Sequence, residues 1–183
     1  MRPRRLHVRA MLLLLTGALV LAATPARAQS GEADIKAAFI YNFAKFVEWP
    51  ADSFGAEGAR LQLCTLGDSP LAQKLRQLHG REAQGRAIEV RVLTRSEDWP
   101  GCHMLFVASP GETPRHPQNS NGNPAAVLTI SESLHYTRQG GMISLFVEAN
   151  RVQFAVNLPA AQQAGLKISA RLLQLARNVS RGE

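Results

Sequence analysis

Residues 140–179, GGMISLFVEANRVQFAVNLPAAQQAGLKISARLLQLARNV, constrain the fold more than any other part of the chain. Residues 142–147 are an apolar run rich in β-branched and aromatic side chains. Glu148, Ala149 and Asn150 supply a short turn, after which Val152, Phe154 and Val156 alternate with Arg151, Gln153 and Ala155. Alternation of this kind around turn residues predicts a β-hairpin. Asn157-Leu158-Pro159 then hands over to a helix, because proline is tolerated in a first turn where its missing N–H would have no intrahelical partner. Ile168, Leu172, Leu175 and Val179 fall at i, i+4, i+7 and i+11, which predicts one apolar stripe on an amphipathic helix. Lys167, Arg171 and Arg177 give its other side a basic face, read first as a solvated one and alternatively as a face for an acidic partner or the inner-membrane surface.

Upstream, helical and strand patterns alternate. Residues 32–47 read as a helix with Ile35, Phe39, Phe43, Phe46 and Val47 on one face and Asn42 close to it. Trp49-Pro50 ends that helix, since a residue before proline avoids the α region. Strands are expected at 61–66, 87–93, 103–108 and 125–130. The run HMLFVA at 103–108 has no polar alternation, as in a central strand covered on both faces. A helix over 71–79 follows the turn Gly67-Asp68-Ser69-Pro70, with Ser69 or Asp68 as its cap, and a short one over 132–139 follows Ser131. Residues 111–124 are dense in Pro, Asn and Gly and read as a loop. Strands alternating with helices imply a parallel sheet. The fold class is therefore α/β: one domain with a largely parallel sheet flanked by helices, closed by the antiparallel hairpin and the amphipathic helix.

The first residues read as an address. Arg2, Arg4, Arg5 and Arg9 precede an apolar run over 10–23, and Ala26-Arg27-Ala28 fits a small-x-small cleavage site. That apolar run is too short to span a membrane comfortably. A signal peptide over 1–28, cleaved after Ala28, would leave an exported domain over 29–183. The segment takes with it five of the 21 basic residues and no acid, leaving 16 against 14, a net charge of +2. Nucleic-acid binding from overall basicity is excluded on that count. Both cysteines, Cys64 and Cys102, lie in the exported part, where a disulfide can persist. Compartment and even count favour a bridge, worth about 4 kcal/mol on the chain-entropy model; two free buried thiols are the alternative.

Catalytic signatures are scarce. His79, His103, His116 and His135 are far apart, and none has a second ligand at helical or turn spacing. Neither a G-x-S-x-G elbow nor a phosphate-binding glycine loop occurs. Neither a metal nor a cofactor is implied. The turn at Asp68 reads as a capped turn, although a small-ligand pocket at the carboxyl ends of the strands, near Asp68, Ser109 and Ser131, is an alternative reading.

Several ordered blocks resemble the YfiR-like family of periplasmic proteins. They are the opening helix IKAAFIYNFAKFVEWP at 35–50, Cys64-Thr65-Leu66-Gly67, Cys102 before an apolar strand, and Leu128-Thr129-Ile130-Ser131. The final block follows, with Gly140-Gly141-Met142-Ile143, VQFAVNL at 152–158, GLKIS at 165–169 and LLQLA at 172–176. The resemblance implies a non-enzymatic repressor that binds the periplasmic sensor domain of an inner-membrane diguanylate cyclase and lowers cyclic di-GMP, with an outer-membrane lipoprotein or a redox change relieving the block. Biofilm formation would follow. It also implies that Cys64 and Cys102 are bonded. A second cysteine pair found in some relatives is absent. Partner contacts are expected at exposed aromatic and arginine residues of the first helix and hairpin, namely Tyr41, Trp49, Phe146 and Arg151. The sequence leaves open whether the protein works as a monomer or a homodimer.

Overall fold

In the computed structural model, residues 26–55, 59–108, 117–119, 122 and 124–180 are described. The expected signal peptide lies almost wholly outside them, as do Ser109, His116 and most of the loop over 111–124. Residues 32–183 form one compact unit, and residues 1–31 are a separate one. Among the described residues, no helix is long and apolar enough to cross a membrane.

Helix α1 (Ala26–Phe46) runs into β1 (Val47–Glu48). Next come β2 (Leu61–Leu66), α2 (Pro70–Leu75), β3 (Glu82–Ala83), β4 (Arg86–Leu93), β5 (Met104–Val107) and β6 (Leu128–Ser131). The hairpin is β7 (Ile143–Glu148) and β8 (Arg151–Asn157), followed by α3 (Leu158–Gln163), β9 (Lys167–Ile168), α4 (Ala170–Leu175) and β10 (Asn178–Ser180). The main sheet has the order β10-β8-β7-β6-β5-β2-β4-β3. Strands β4, β2, β5, β6 and β7 are parallel, and β7–β8 is antiparallel. The α/β class and the hairpin stand as expected. Strand β5 is central and buried along its whole length.

Register divides the side chains between two faces, because successive residues of a strand point opposite ways. One face carries Leu63, Met104, Phe106, Leu128, Ile130, Ile143, Leu145, Phe154 and Val156, all buried in the main core. Helix α1 supplies Phe43 to this core, edge-on to Phe154 at 5.1 Å, with Phe39 5.6 Å from the same ring. Full burial of a large aromatic contributes on the order of 2–3 kcal/mol, so this cluster is a main attachment of α1. The opposite face carries a smaller core of Cys64, Leu66, Leu93, Leu105, Val107, Ala125 and Val127. There Cys64 and Cys102 are bonded, with Cα atoms 5.9 Å apart.

Three local expectations are corrected. The face of α1 is rotated: Ile35 is 51% exposed and Asn42 is exposed, while Ala33, Lys36, Ala37 and Ile40 are buried. Small alanines let the helix approach the sheet closely, and the Lys36 ammonium is met by Glu132 at 2.7 Å and Glu32 at 2.5 Å. Burial opposes that charge, but the two carboxylates outweigh it and raise the lysine pKa. Residues 132–139 form a 3-10 turn over Tyr136–Gln139 rather than an α-helix.

The long C-terminal helix is broken into four pieces. Asn157 Oδ1 caps α3 by accepting from the Ala160 N–H. Gly165, at φ +75°, ends that helix, with Leu166 N–H donating to Ala161 O and Gly165 N–H to Gln162 O. This is the paired closure of a left-handed C-terminal cap. Ile168 then pairs with Val47, and Ser169 N–H donates to Phe46 O, so the chain is tied to the end of α1. Ser169 caps α4 through the Leu172 N–H. Leu172 is buried, Leu175 is 67% exposed, and Val179 lies in β10, parallel to β8. Two caps and a backbone clasp override the apolar spacing.

Candidate interaction surface

Beyond the small core, the second face of the sheet is left open at the hairpin. Ser144, Phe146 and Glu148 lie opposite Ala155, Gln153 and Arg151, with Asn178 of β10 beside Ala155. A groove of about 490 Å³ runs over this region, lined by Leu134, Thr137, Arg138, Phe146, Glu148, Ala155, Arg177 and Asn178. An adjoining cavity of about 320 Å³ extends it to Val156 and Ser180.

The rim at Leu134–Arg138 is held by buried hydroxyls. Ser144 Oγ accepts from the Thr137 N–H, Ser131 Oγ donates to Val107 O, and Thr129 Oγ1 accepts from the Met142 N–H. Tyr136 is buried beneath the rim; burial raises its pKa, and a hydrogen bond with Thr129 partly offsets that. Its ring packs against Gly141, where an added Cβ would come within 2.2 Å of Cε1. Gly140, at φ +98°, turns the chain into that contact. The Gly140-Gly141 pair thus has two separate physical requirements, a left-handed turn and a missing side chain.

The groove mixes apolar and cationic contacts. Leu134 is 55% exposed, and Phe146 is half-buried. Arg177 Nε donates to Glu148 Oε2 at 2.8 Å across the strand ends. Arg138 bonds to the ring Nδ1 of His135, and among the described residues it forms no ion pair. Such a site can take an apolar side chain flanked by a carboxylate. Among the described residues, no three His, Cys, Asp or Glu side chains are grouped to hold a metal.

The four residues expected at a partner contact do not form one surface. Phe146 lines the groove, and Arg151 is exposed at the turn beside Glu148. Tyr41 is on α1, its hydroxyl donating to Glu82 O at 2.8 Å near the opposite edge of the sheet. For Trp49 the alternative of an aromatic plug over the core holds rather than an exposed contact: it is 9% accessible, and its indole N–H donates to His103 O at 3.0 Å. It plugs the core. Of the alternative ligand set, Asp68 is exposed and accepts from the Gln73 amide, and Ser131 is buried with its hydroxyl bonded to backbone.

Arg177 was expected on a basic face of the last helix and instead lies in the groove beside Glu148, while Leu134, Arg138 and Asn178 were not singled out by sequence reasoning. The signal is weak: Leu134 is a single apolar residue between Ser133 and His135, Arg138 is brought in by the 3-10 turn, and Asn178 joins through the register of β10 with β8.

A family model described as YfiR/HmsC-like matches residues 33–177. Similar solved structures include a conserved domain protein from Vibrio cholerae, at 12% identity and TM-score 0.42, covering 65% of this chain and 54% of that one. Another is the ABC domain in complex with L-Trp from Streptococcus pneumonia, at 12% identity and TM-score 0.42, covering 66% and 55%. The chain spans about half the length of each.

Proposed function

The chain belongs to the YfiR/HmsC-like family, of periplasmic regulators of diguanylate cyclase signalling, and from that premise we propose that it represses one such cyclase by binding its periplasmic sensor domain. The protein is exported after removal of residues 1–28, acts without catalysis, and lowers cyclic di-GMP. An outer-membrane lipoprotein competes for it and relieves the block. Binding to one state of the sensor shifts the sensor population by the difference in affinity between its two states.

The observation that carries this reading is the family match over nearly the whole described chain. The open hairpin face supplies a surface of suitable character, with Phe146 and Leu134 as apolar anchors and Arg138 beside them. Aromatic and arginine side chains dominate interface energetics. Phe146→Ala combined with Arg138→Glu should weaken binding of the purified cyclase sensor domain by at least about ten-fold, on the order of 1.4 kcal/mol. Isothermal titration of wild type and variant measures this. Equal affinities would move the contact away from the groove.

A further inference from the structure

A second surface lies away from the groove, at the end of α1, and is organised by rings and cations. The Arg81 guanidinium stacks 4.0 Å from the centre of the Tyr41 ring. Lys45 Nζ is 5.5 Å from the same ring and 6.0 Å from that of Phe46. Arg171, from α4, lies 5.7 Å from the Phe46 ring. Three elements distant in sequence therefore contribute to one strip: Arg81, Tyr41, Lys45, Phe46, Arg171. All three cations are exposed, and both rings are half-buried. Among the described residues none of the three forms an ion pair, whereas Lys36, Arg60, Lys74, Arg95 and Arg177 each meet a carboxylate.

The rings orient the charges. Tyr41 is pinned by its hydroxyl bond to Glu82 O, and the Arg81 guanidinium sits over its ring with no ion pair among the described residues. A planar guanidinium presented this way suits bidentate carboxylate recognition. We propose that this strip docks an acidic segment of a protein partner, its carboxylates bridging Arg81, Lys45 and Arg171. A protein is favoured over an anionic lipid surface because the rings lie under the cations, with no aromatic side chain projecting to enter a bilayer. The inference rests on the regulator reading only in taking the partner to be a protein.

The test is fluorescence anisotropy of a labelled poly-glutamate peptide against the full mature protein. The Lys45→Gln/Arg81→Gln/Arg171→Gln variant should bind about ten-fold more weakly, as three exposed charge pairs would give. The Arg60→Gln/Arg76→Gln/Arg95→Gln control carries the same change of net charge and should bind like wild type. Circular dichroism melts check that each variant folds, and Lys45→Gln alone, expected to bind more weakly than wild type, serves if the triple variant does not. Equal weakening in both triples would reduce the effect to net charge and overturn the proposal. So would failure of the wild type to bind the peptide, or strip-dependent binding to phosphatidylglycerol vesicles in its place. Loss of cyclic di-GMP repression is measured separately; a wild type that binds the peptide and never represses sinks the regulator reading while the strip stands.

Discussion

His103 concentrates several constraints in one side chain. It is buried, its ring stacks on Phe54 at 4.3 Å, its Nδ1 accepts from the Gln62 N–H, and its Nε2 donates to Ser53 O. A proton added at Nδ1 would face a backbone donor. Burial lowers its pKa, the Ser53 bond opposes this, and the Arg86 charge reinforces the lowering. The unfolded chain therefore takes up the proton first, near its ordinary pKa of about 6.5, and stability should fall as pH drops from there towards the lower folded value. Thermal melts between about pH 7.5 and about pH 5 should show this slope, flattened in His103→Gln. Equal slopes would place the titration elsewhere. Gly141 offers a steric counterpart. Gly141→Ala drives a methyl into the Tyr136 ring, and a loss of about 1–3 kcal/mol is expected in urea unfolding. At the hairpin tip, Ala149 and Asn150 both have positive φ. Ala149→Gly should stabilise by about 1 kcal/mol by relieving a left-handed alanine; no gain would mean the turn relaxes at no cost.

At the scale of elements, legibility follows the range of the interaction. Strands β2, β4, β5 and the hairpin announce themselves because alternation and unbroken apolar runs are local signals of which face is covered. The caps at Ser69, Asn157 and Ser169 are local too. The rotation of α1 is not, since Lys36 is compensated by a glutamate 96 residues away. The clasp of β9 onto β1 likewise depends on a pairing that helical spacing at 168–179 conceals. The groove is the extreme case, assembled from the rim at Leu134–Arg138, both hairpin strands and β10. Attachment of α1 can be tested through its ring contact with β8. Phe43→Ala removes a fully buried aromatic and should cost about 3–5 kcal/mol, whereas truncating the exposed Ile35 should cost well under 1 kcal/mol. Chemical denaturation of both variants checks the face assignment, and similar costs would contradict it.

Across the whole molecule, the sheet separates two kinds of work. One face buries the main core beneath α1, and the other holds the small disulfide-linked core and the open groove. The disulfide closes a separation of 38 residues on the second face, away from the groove at the other end of the sheet. Replacing Cys64 and Cys102 by serine should lower stability by about 4 kcal/mol and reduce exported yield, and a melting temperature unchanged by reductant would contradict that account. A stable scaffold with one face left open fits a protein whose output is a contact. The direct test is intracellular cyclic di-GMP in cells lacking the gene, with and without the exported protein restored. A rise on deletion, reversed by the wild-type protein and not by Phe146→Ala/Arg138→Glu, is the predicted result. Unchanged cyclic di-GMP in cells shown to express the protein would contradict the repressor account.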